Sequence, residues 1–294
     1  MPELGRTAVQ HTVPPISMWR RTTDHVMTGV AVLTVVLVLA PLVAIFGYLV
    51  YRGVGAIDWA FLTQTPKPVG EIGGGMANAI VGSAFILGIA SIIGVPFGVG
   101  AGIYLAEFGR NRLGSTIRFT ADVLHGVPSI VIGIVAYAIV VLYQRHFSAL
   151  AGGVALAIMM VPTISRTTEE MLLLVPQALR EAAYGLGIPR WRTTLSITLR
   201  TATSGVITGI MLAFARIAGE TAPLLFTAFG NQYWNLRPDQ PTAALPLQIY
   251  TYALSPYDDW HRQAWAGSLV LIILIVSAVS AVRYVVRRGS FGAA

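Results

Sequence analysis

Residues 181–200 read EAAYGLGIPRWRTTLSITLR and are the longest polar, basic interruption between segments apolar enough to span a membrane. A short helix is predicted to begin at Pro176, because proline suits the first helical position. Gly187 is placed to end that helix, since glycine adopts the left-handed conformation of a helix stop. Pro189 then opens a second helix. This pattern is typical either of a surface connector between two spans or of a protrusion that docks into another protein.

The composition indicates a membrane protein. The chain has 294 residues, of which 55% are hydrophobic and 11% are charged, whereas soluble domains carry about 25% charged residues. It has no cysteine, which excludes disulfides and thiolate metal sites. Lys67 is its only lysine and follows Thr-Pro, so the chain lacks the Gly-x4-Gly-Lys-Ser/Thr loop that binds ATP in many ATPases. An ATP-driven activity would need an ATPase on another chain.

Six apolar segments predict an all-α polytopic membrane protein with six transmembrane helices, since a span needs about 20 apolar residues. The six segments are 26–50, 77–106, 120–143, 149–165, 202–229 and 266–286. Residues 1–25 are predicted to be a cytoplasmic tail with little fixed structure, 26–288 the transmembrane domain with its polar loop at about 176–200, and 289–294 a second cytoplasmic tail.

The basic residues predict the orientation. If both termini lie inside, fourteen Lys and Arg residues fall on the cytoplasmic side and five on the outer side, with Arg216 within a span. Cytoplasmic loops are enriched in Lys and Arg, so both termini are predicted to be cytoplasmic. The outer loop at about 230–265 is rich in Tyr and Trp, which fits anchoring at the membrane interface and also docking of an external solute-binding protein.

The fifth predicted span contains two ionisable residues, Arg216 and Glu220. They are four residues apart, which puts them on one helix face where they can pair. Gly205, Gly209 and Ala213 share that face and let a neighbouring helix approach. A charge at mid-bilayer costs ~2.5–3.5 kcal/mol on insertion scales, so the pair is either a structural ion pair or part of a solute path. Arginine suits an oxyanion because its planar fork donates two parallel hydrogen bonds.

Three further polar residues lie near span ends. Arg166 is expected either to anchor the fourth span at the cytoplasmic face or to line a path. Asp122 and His125 are interpreted as a helix-start carboxylate and an interior hydrogen-bonding histidine. No metal site is expected, because His125 has no second histidine near it in the sequence.

The polar loop resembles the coupling loop of permease subunits in binding-protein-dependent ABC importers. Six positions match that family's spacing, namely Glu181, Ala182, Ala183, Gly187, Ile197 and Leu199. Arg200 departs from the pattern, because many members have proline there. The resemblance implies a type I ABC importer permease-like fold whose cytoplasmic coupling helix docks on an ATPase through Glu181, Ala182, Ala183 and Gly187.

Three other segments resemble the PstA-type permeases of phosphate importers more specifically. They are RIAGETAPLL at 216–225, GVPSIVIG at 126–133 and RTTE at 166–169, and the resemblance covers roughly residues 25–288. It implies a path for inorganic phosphate that involves Arg216, Glu220 and Arg166.

The resemblance also implies partners and a location. The expected partners are a PstC-type permease in a heterodimer, a PstB-type ATPase dimer that binds ATP and magnesium, and a PstS-type extracellular phosphate-binding protein. The chain would be a non-catalytic, multi-pass protein in the inner or plasma membrane lipid, with no cofactor of its own and no nucleic-acid partner.

Three alternatives remain open from the sequence. One is a permease for another oxyanion, such as molybdate or phosphonate. Another is a membrane enzyme acting on lipid phosphates, for which Glu169, Glu170 and Arg166 are the best available acid–base group. The third is a passive membrane scaffold or sensor, which would have no reason to place Arg216 and Glu220 within a span.

Overall fold

The computed structural model describes residues 17–290 of the chain, with side chains up to residue 286. Residues 1–16 and 291–294 of the predicted tails lie outside the described residues. The described part is helical and contains no β-strand. Its helices are α1 (Met18–Val54), α2 (Trp59–Thr63), α3 (Ala77–Glu107), α4 (Arg112–Gly126), α5 (Ser129–Ala136), α6 (Leu142–Gln144), α7 (Ala149–Leu173), α8 (Gln177–Gly185), α9 (Arg190–Thr193), α10 (Leu199–Ala218), α11 (Ala222–Leu225), α12 (Leu245–Ala253) and α13 (Asp258–Ser290).

The helix lengths confirm a polytopic all-α membrane protein. Five helical segments are long and apolar enough to cross a membrane, and a sixth crossing is possible if the bent pair of α4 and the helix after it is one span. Helix α1 begins at Met18, so the last part of the predicted N-terminal tail is helical, which contradicts the expected lack of structure there. The chain divides into two compact units, one ending at Val50 and one beginning at Tyr51.

Helix α7 lies at the centre of the second unit and packs along α3. The contact is close because glycines of α3 face α7. A Cβ built at Gly98 would lie 2.7 Å from Cβ of Ile164, and one at Gly94 would lie 3.2 Å from Cβ of Met160. Small residues allow this approach of two backbones within a membrane. Helix α7 is therefore held tightly against α3, which fixes the positions of the side chains that α7 carries.

The two ends of α7 contact different parts of the chain. At its start, Ser148 donates its N–H to the Thr227 carbonyl and Leu150 to the Pro238 carbonyl, so the α11–α12 loop (226–244) lies there. At its other end, Arg180 of α8 donates to the Leu172 carbonyl at 2.7 Å. Helix α8 and the α11–α12 loop therefore lie at opposite ends of α7.

The third predicted span, 120–143, is wrong as a single helix. Helix α4 ends at Gly126, and the chain bends by 110° before α5 begins at Ser129. Pro128 lacks an N–H and restricts the residue before it to extended backbone, and Val127 has φ −71° and ψ 131°. A π-helical segment, Tyr137–Val141, then connects α5 to α6.

The bounds of the fifth predicted span, 202–229, also need correction. The helical segment runs from Arg190 to Ala218, through the π-helical turn Thr194–Thr198. It ends where Gly219 caps α10, and a proline follows shortly after the cap. Glu220 therefore lies beyond the helix that carries Arg216.

Candidate functional site

Helix α4 presents three polar side chains on one face. Asn111 begins the helix by accepting a hydrogen bond from the Gly114 N–H at 2.8 Å, which satisfies a donor that has no partner within the helix. Arg118, Asp122 and His125 follow at spacings of four and three residues, which align them on one side. The interpretation of Asp122 as a helix-start carboxylate is wrong, because α4 begins at Arg112.

Arg166 of α7 is paired with Asp122 of α4. The Arg166 Nε donates to Asp122 Oδ1 at 3.0 Å, and Nη2 donates to both carboxylate oxygens at 2.8 Å. This is the side-on arrangement by which a guanidinium holds a carboxylate or a phosphate with two parallel hydrogen bonds. Nη1 of the same arginine donates to Glu169 at 3.3 Å, one turn along α7.

Glu169 is buried between two guanidinium groups. Its side chain is 6% exposed, and Oε1 lies 2.6 Å from Nε of Arg118. Arg118 also donates to the carbonyls of Leu105 and Gly109 at 2.9 Å, where the end of α3 leaves carbonyls without helical partners. A glutamate fixed in this way serves as an ion-pair partner, which removes the main support for the acid–base enzyme considered from the sequence.

Arg216 contacts a different partner from the one predicted. Its Nη1 lies 3.1 Å from Nε2 of His125, and since a guanidinium only donates, Nε2 of His125 accepts. No ion pair joins Arg216 to Glu220 within the described residues. The predicted helical pairing is wrong because α10 ends at Ala218, and Glu220 lies half-buried in the turn that follows.

The small residues predicted on α10 lie against α7, as the sequence indicated. A Cβ added at Gly205 would clash with Met171, and one at Gly209 would clash with Thr167. Ala213, one turn before Arg216, is 1% exposed. The close packing positions Arg216 on the same side of the fold as Arg166, where α4 reaches both.

The site as a whole has an excess of positive charge. The group contains three guanidinium groups and two carboxylates. Arg118 and Arg166 pair with the carboxylates of Asp122 and Glu169, whereas Arg216 contacts only the imidazole of His125 among these residues. With a neutral imidazole, one positive charge is uncompensated within this group. Arg166 and Arg216 were predicted from the sequence as candidates, but Arg118 was not. The contacts of Asp122 and His125 with these arginines were not predicted either, although the four- and three-residue spacing of the three polar residues on α4 is visible in the sequence.

The polar loop at residues 176–200 forms the predicted helix, turn and second helix. Gly187 has φ +76°, its N–H donates to the Tyr184 carbonyl at 2.9 Å, and the Ile188 N–H donates to Ala183 at 3.1 Å. These two bonds are those of the Schellman motif that ends helices. The predicted start is displaced by one residue, because Pro176 caps the helix and Gln177 is its first residue.

The residues predicted to dock an ATPase differ in exposure. Glu181, Ala182 and Gly187 are exposed, whereas Ala183 is 2% exposed and faces the body of the protein. Leu186 and Trp191 are 81% and 63% exposed. The segment thus presents a charged and apolar outer surface and holds itself in place through its inner face.

An internal ion pair holds α8 against the rest of the fold. Nη2 of Arg180 lies 3.1 Å from Oε1 of Glu107 at the end of α3, and both side chains are about nine-tenths buried. The same nitrogen donates to the Leu172 carbonyl at the end of α7. Arg180 therefore connects α8 to the ends of both α3 and α7.

Comparisons with known proteins identify the family. Residues 98–290 match the family model described as the binding-protein-dependent transport system inner membrane component. The chain is 46% identical over 259 residues to the phosphate transport system permease protein PstA of Yersinia pestis, covering 88% of each chain. It is 45% identical to that of Haemophilus influenzae, covering 88% of this chain and 92% of the relative. The chain belongs to the PstA permease family.

A more distant PstA and a solved structure extend the comparison. PstA 1 of Mycobacterium tuberculosis strain H37Rv is 35% identical over 283 residues, covering 93% of this chain and 92% of the relative. A chain of the MetNI methionine ABC transporter, solved in inward-facing conformations, has a TM-score of 0.56 and 16% identity, covering 72% of this chain and 94% of its own length. At that identity the likeness shows only the fold, which is that of a type I ABC importer permease.

Proposed function

We propose that this PstA-family chain is the permease subunit of an ATP-driven importer, and that it moves inorganic phosphate across the inner or plasma membrane with both termini in the cytoplasm. The observation that carries the proposal is that α4 holds Arg166 and Arg216 in one group whose arginines carry one more positive charge than its carboxylates neutralise. A tetrahedral oxyanion is recognised by such planar forks.

The anion path in this proposal contains both arginines. Arg216 binds the anion, Arg166 lies nearer the cytoplasmic exit, and Glu220 lowers the local positive potential from the turn after α10. Conduction needs binding that is strong enough to admit the ion and weak enough to release it. Carboxylates close to the arginines supply that moderation.

Transport in this proposal requires partners. A PstC-type permease completes the membrane heterodimer, a PstS-type protein delivers phosphate from outside, and a PstB-type ATPase dimer binds ATP and magnesium. The ATPase docks on the exposed surface of α8 through Glu181, Ala182 and the turn at Gly187, while Ala183 seats the helix. Arg180 then transmits its movement to the ends of α3 and α7.

The test is phosphate uptake by cells whose own permease is replaced by this chain and its partners. Arg216→Gln removes the charge and is expected to abolish phosphate uptake while the complex assembles and hydrolyses ATP. Arg216→Lys keeps the charge without the fork, so it should transport poorly.

Arg237→Gln is the matched control. Arg237 is exposed in the α11–α12 loop and pairs with Asp239 at 2.9 Å, and its hydrogen bonds hold the pKa of the Asp239 carboxyl below its usual value. Because Arg237 is outside the proposed path, Arg237→Gln should retain the phosphate uptake that Arg216→Gln loses. Full phosphate uptake by an assembled Arg216→Gln complex would remove Arg216 from the path.

A further inference from the structure

Both arginines of the proposed path are engaged by the same helix. Asp122 of α4 binds Arg166, and His125, one turn later, accepts from Arg216. Arg166 is 44 residues from Asp122 in the sequence, and Arg216 is 91 residues from His125. One helix thus occupies hydrogen-bond donors at two positions that the proposed function assigns to phosphate.

Asp122 occupies the edge of Arg166 that would hold an oxyanion. Nε and Nη2 form the side-on edge of the guanidinium, and both donate to the Asp122 carboxylate. Two oxygens of a phosphate would meet the same pair of nitrogens in the same way. The remaining donor, Nη1, is directed to Glu169. Phosphate and Asp122 therefore exclude one another at this edge.

The ion pair of Arg166 with Asp122 is exposed enough for phosphate to replace Asp122, whereas the neighbouring ion pair of Arg118 with Glu169 is buried. The side chains of Arg166 and Asp122 are 35% and 56% exposed, and an ion pair open to water contributes little stability. Glu169 is 6% exposed in its pair with Arg118, and breaking a buried pair strongly destabilises a fold. Displacing Asp122 would leave Arg166 still positioned by Glu169.

Helix α4 is also separated from its neighbours in the chain. The residues between Glu107 and Arg112 are not helical, and the extended backbone at Val127 interrupts the helix on the other side. No helical hydrogen bond continues across either break. Arg118 anchors α4 to Glu169 and to the end of α3. Asp122 and His125 lie beyond that anchor, one and two turns along, and can withdraw together by a tilt of α4 about it.

We propose that α4 is an internal competitor for the transported anion, whose Asp122 and His125 displace phosphate from Arg166 and Arg216 and so promote its release. The proposal rests on the proposed function. Asp122 and His125 are positioning residues here, because they act through the two arginines.

The test uses the complete importer in proteoliposomes loaded with increasing phosphate on the side to which transport delivers it. Asp122→Asn keeps the size of the side chain but replaces the carboxylate that competes with phosphate by a neutral amide. We expect the internal phosphate concentration that halves uptake to fall about two- to fivefold, since a half-exposed ion pair contributes only modestly. Asp122→Glu should restore the original value. Asp239→Asn, which removes the acid from the exposed pair with Arg237 in the α11–α12 loop, should leave the half-inhibiting internal phosphate concentration unchanged.

The readout distinguishes competition from packing. If Asp122 only holds α4 against α7, Asp122→Asn lowers uptake without changing the half-inhibiting phosphate concentration, and that result overturns the proposal. Should Asp122→Asn fail to assemble, His125→Ala removes the acceptor at Arg216, and an unchanged half-inhibiting concentration there overturns it equally. A wild-type importer that moves no phosphate would instead contradict the proposed function.

A second measurement needs no transport. A ligand that binds the folded state raises its thermal midpoint according to its affinity. Phosphate should therefore raise the midpoint of the solubilised Asp122→Asn complex more than that of the wild type. An equal phosphate-dependent shift in the two complexes would count against displacement.

Discussion

Gly187 controls the proposed docking segment through its backbone alone. A Cβ added there would meet nothing within 4 Å, yet its φ is +76°. That conformation costs roughly 1–2 kcal/mol for residues other than glycine and is most strongly disfavoured for β-branched side chains. The direction in which the chain leaves α8 thus depends on the absence of a side chain at one position.

Gly187→Val is expected to weaken association with the ATPase about tenfold, because roughly 1–2 kcal/mol of strain corresponds to such a factor. Gly187→Asn should be milder, since asparagine tolerates the left-handed region. Gly185→Ala is the matched control, because Gly185 lies within α8 and has space around it. The measurement is ATPase copurification with membranes at equal permease levels. Equal copurification for all variants would reduce the segment to a connector.

The sequence identified which residues are chemically unusual but not which of them meet. A charge in an apolar segment is visible in sequence, so Arg166 and Arg216 were predicted as functional candidates. Helical spacing relates only residues on one helix, and it paired Arg216 with Glu220. The contact with His125 joins residues 91 apart, and such a contact depends on how α4 and α10 pack.

At the scale of elements, the pair of α3 and α7 determines where the site lies. Gly98 of α3 is buried against Ile164, which is itself fully buried and β-branched. A stiff side chain of this kind has little freedom to move aside. Gly100, two residues along, has nothing within 4 Å of an added Cβ. Gly98 and Gly100 therefore lie on the same helix, but only Gly98 is packed against a neighbouring helix.

Gly98→Ala is expected to lower the thermal midpoint of the solubilised protein, because overpacking a tight contact costs about 1–3 kcal/mol. Gly100→Ala adds the same methyl group in open space, and alanine favours helix by about 1 kcal/mol over glycine. It should leave the midpoint unchanged or raise it slightly. Equal midpoints for the two variants would show that the contact of α3 with α7 tolerates an additional methyl group.

Element boundaries were predictable where a local signal decided them. Gly187 and Pro189 marked the turn after α8, and the start of α3 at Ala77 matched the apolar run. The break at Pro128 was visible as a residue that disfavours helix, but proline within a membrane helix is often tolerated. The bend of 110° depends on packing of α5 against α7 and α11, which no local pattern encodes.

At the scale of the whole molecule, the proposed orientation in the membrane rests on the distribution of charges and on α7. Helix α7 has 25 residues, which at 1.5 Å per residue is about 37 Å, longer than the ~30 Å hydrocarbon core. Its start contacts the α11–α12 loop and its end contacts α8. The charge bias predicts that the α8 end lies in the cytoplasm, so the α11–α12 loop should lie outside.

Single cysteines test this orientation directly, because the chain contains none of its own. Tyr233→Cys places a thiol at a side chain that is 77% exposed in the α11–α12 loop, and Leu186→Cys at one that is 81% exposed beside α8. A membrane-impermeant maleimide added to intact spheroplasts should label Tyr233→Cys and spare Leu186→Cys. Both should react once the membrane is permeabilised.

Arg110→Cys, exposed in the loop before α4, gives a second reporter at the α8 end if a bound ATPase covers Leu186. Labelling of either of these two positions from outside would reverse the orientation, and α8 would then lie on the side of the membrane where no cytoplasmic ATPase can reach it.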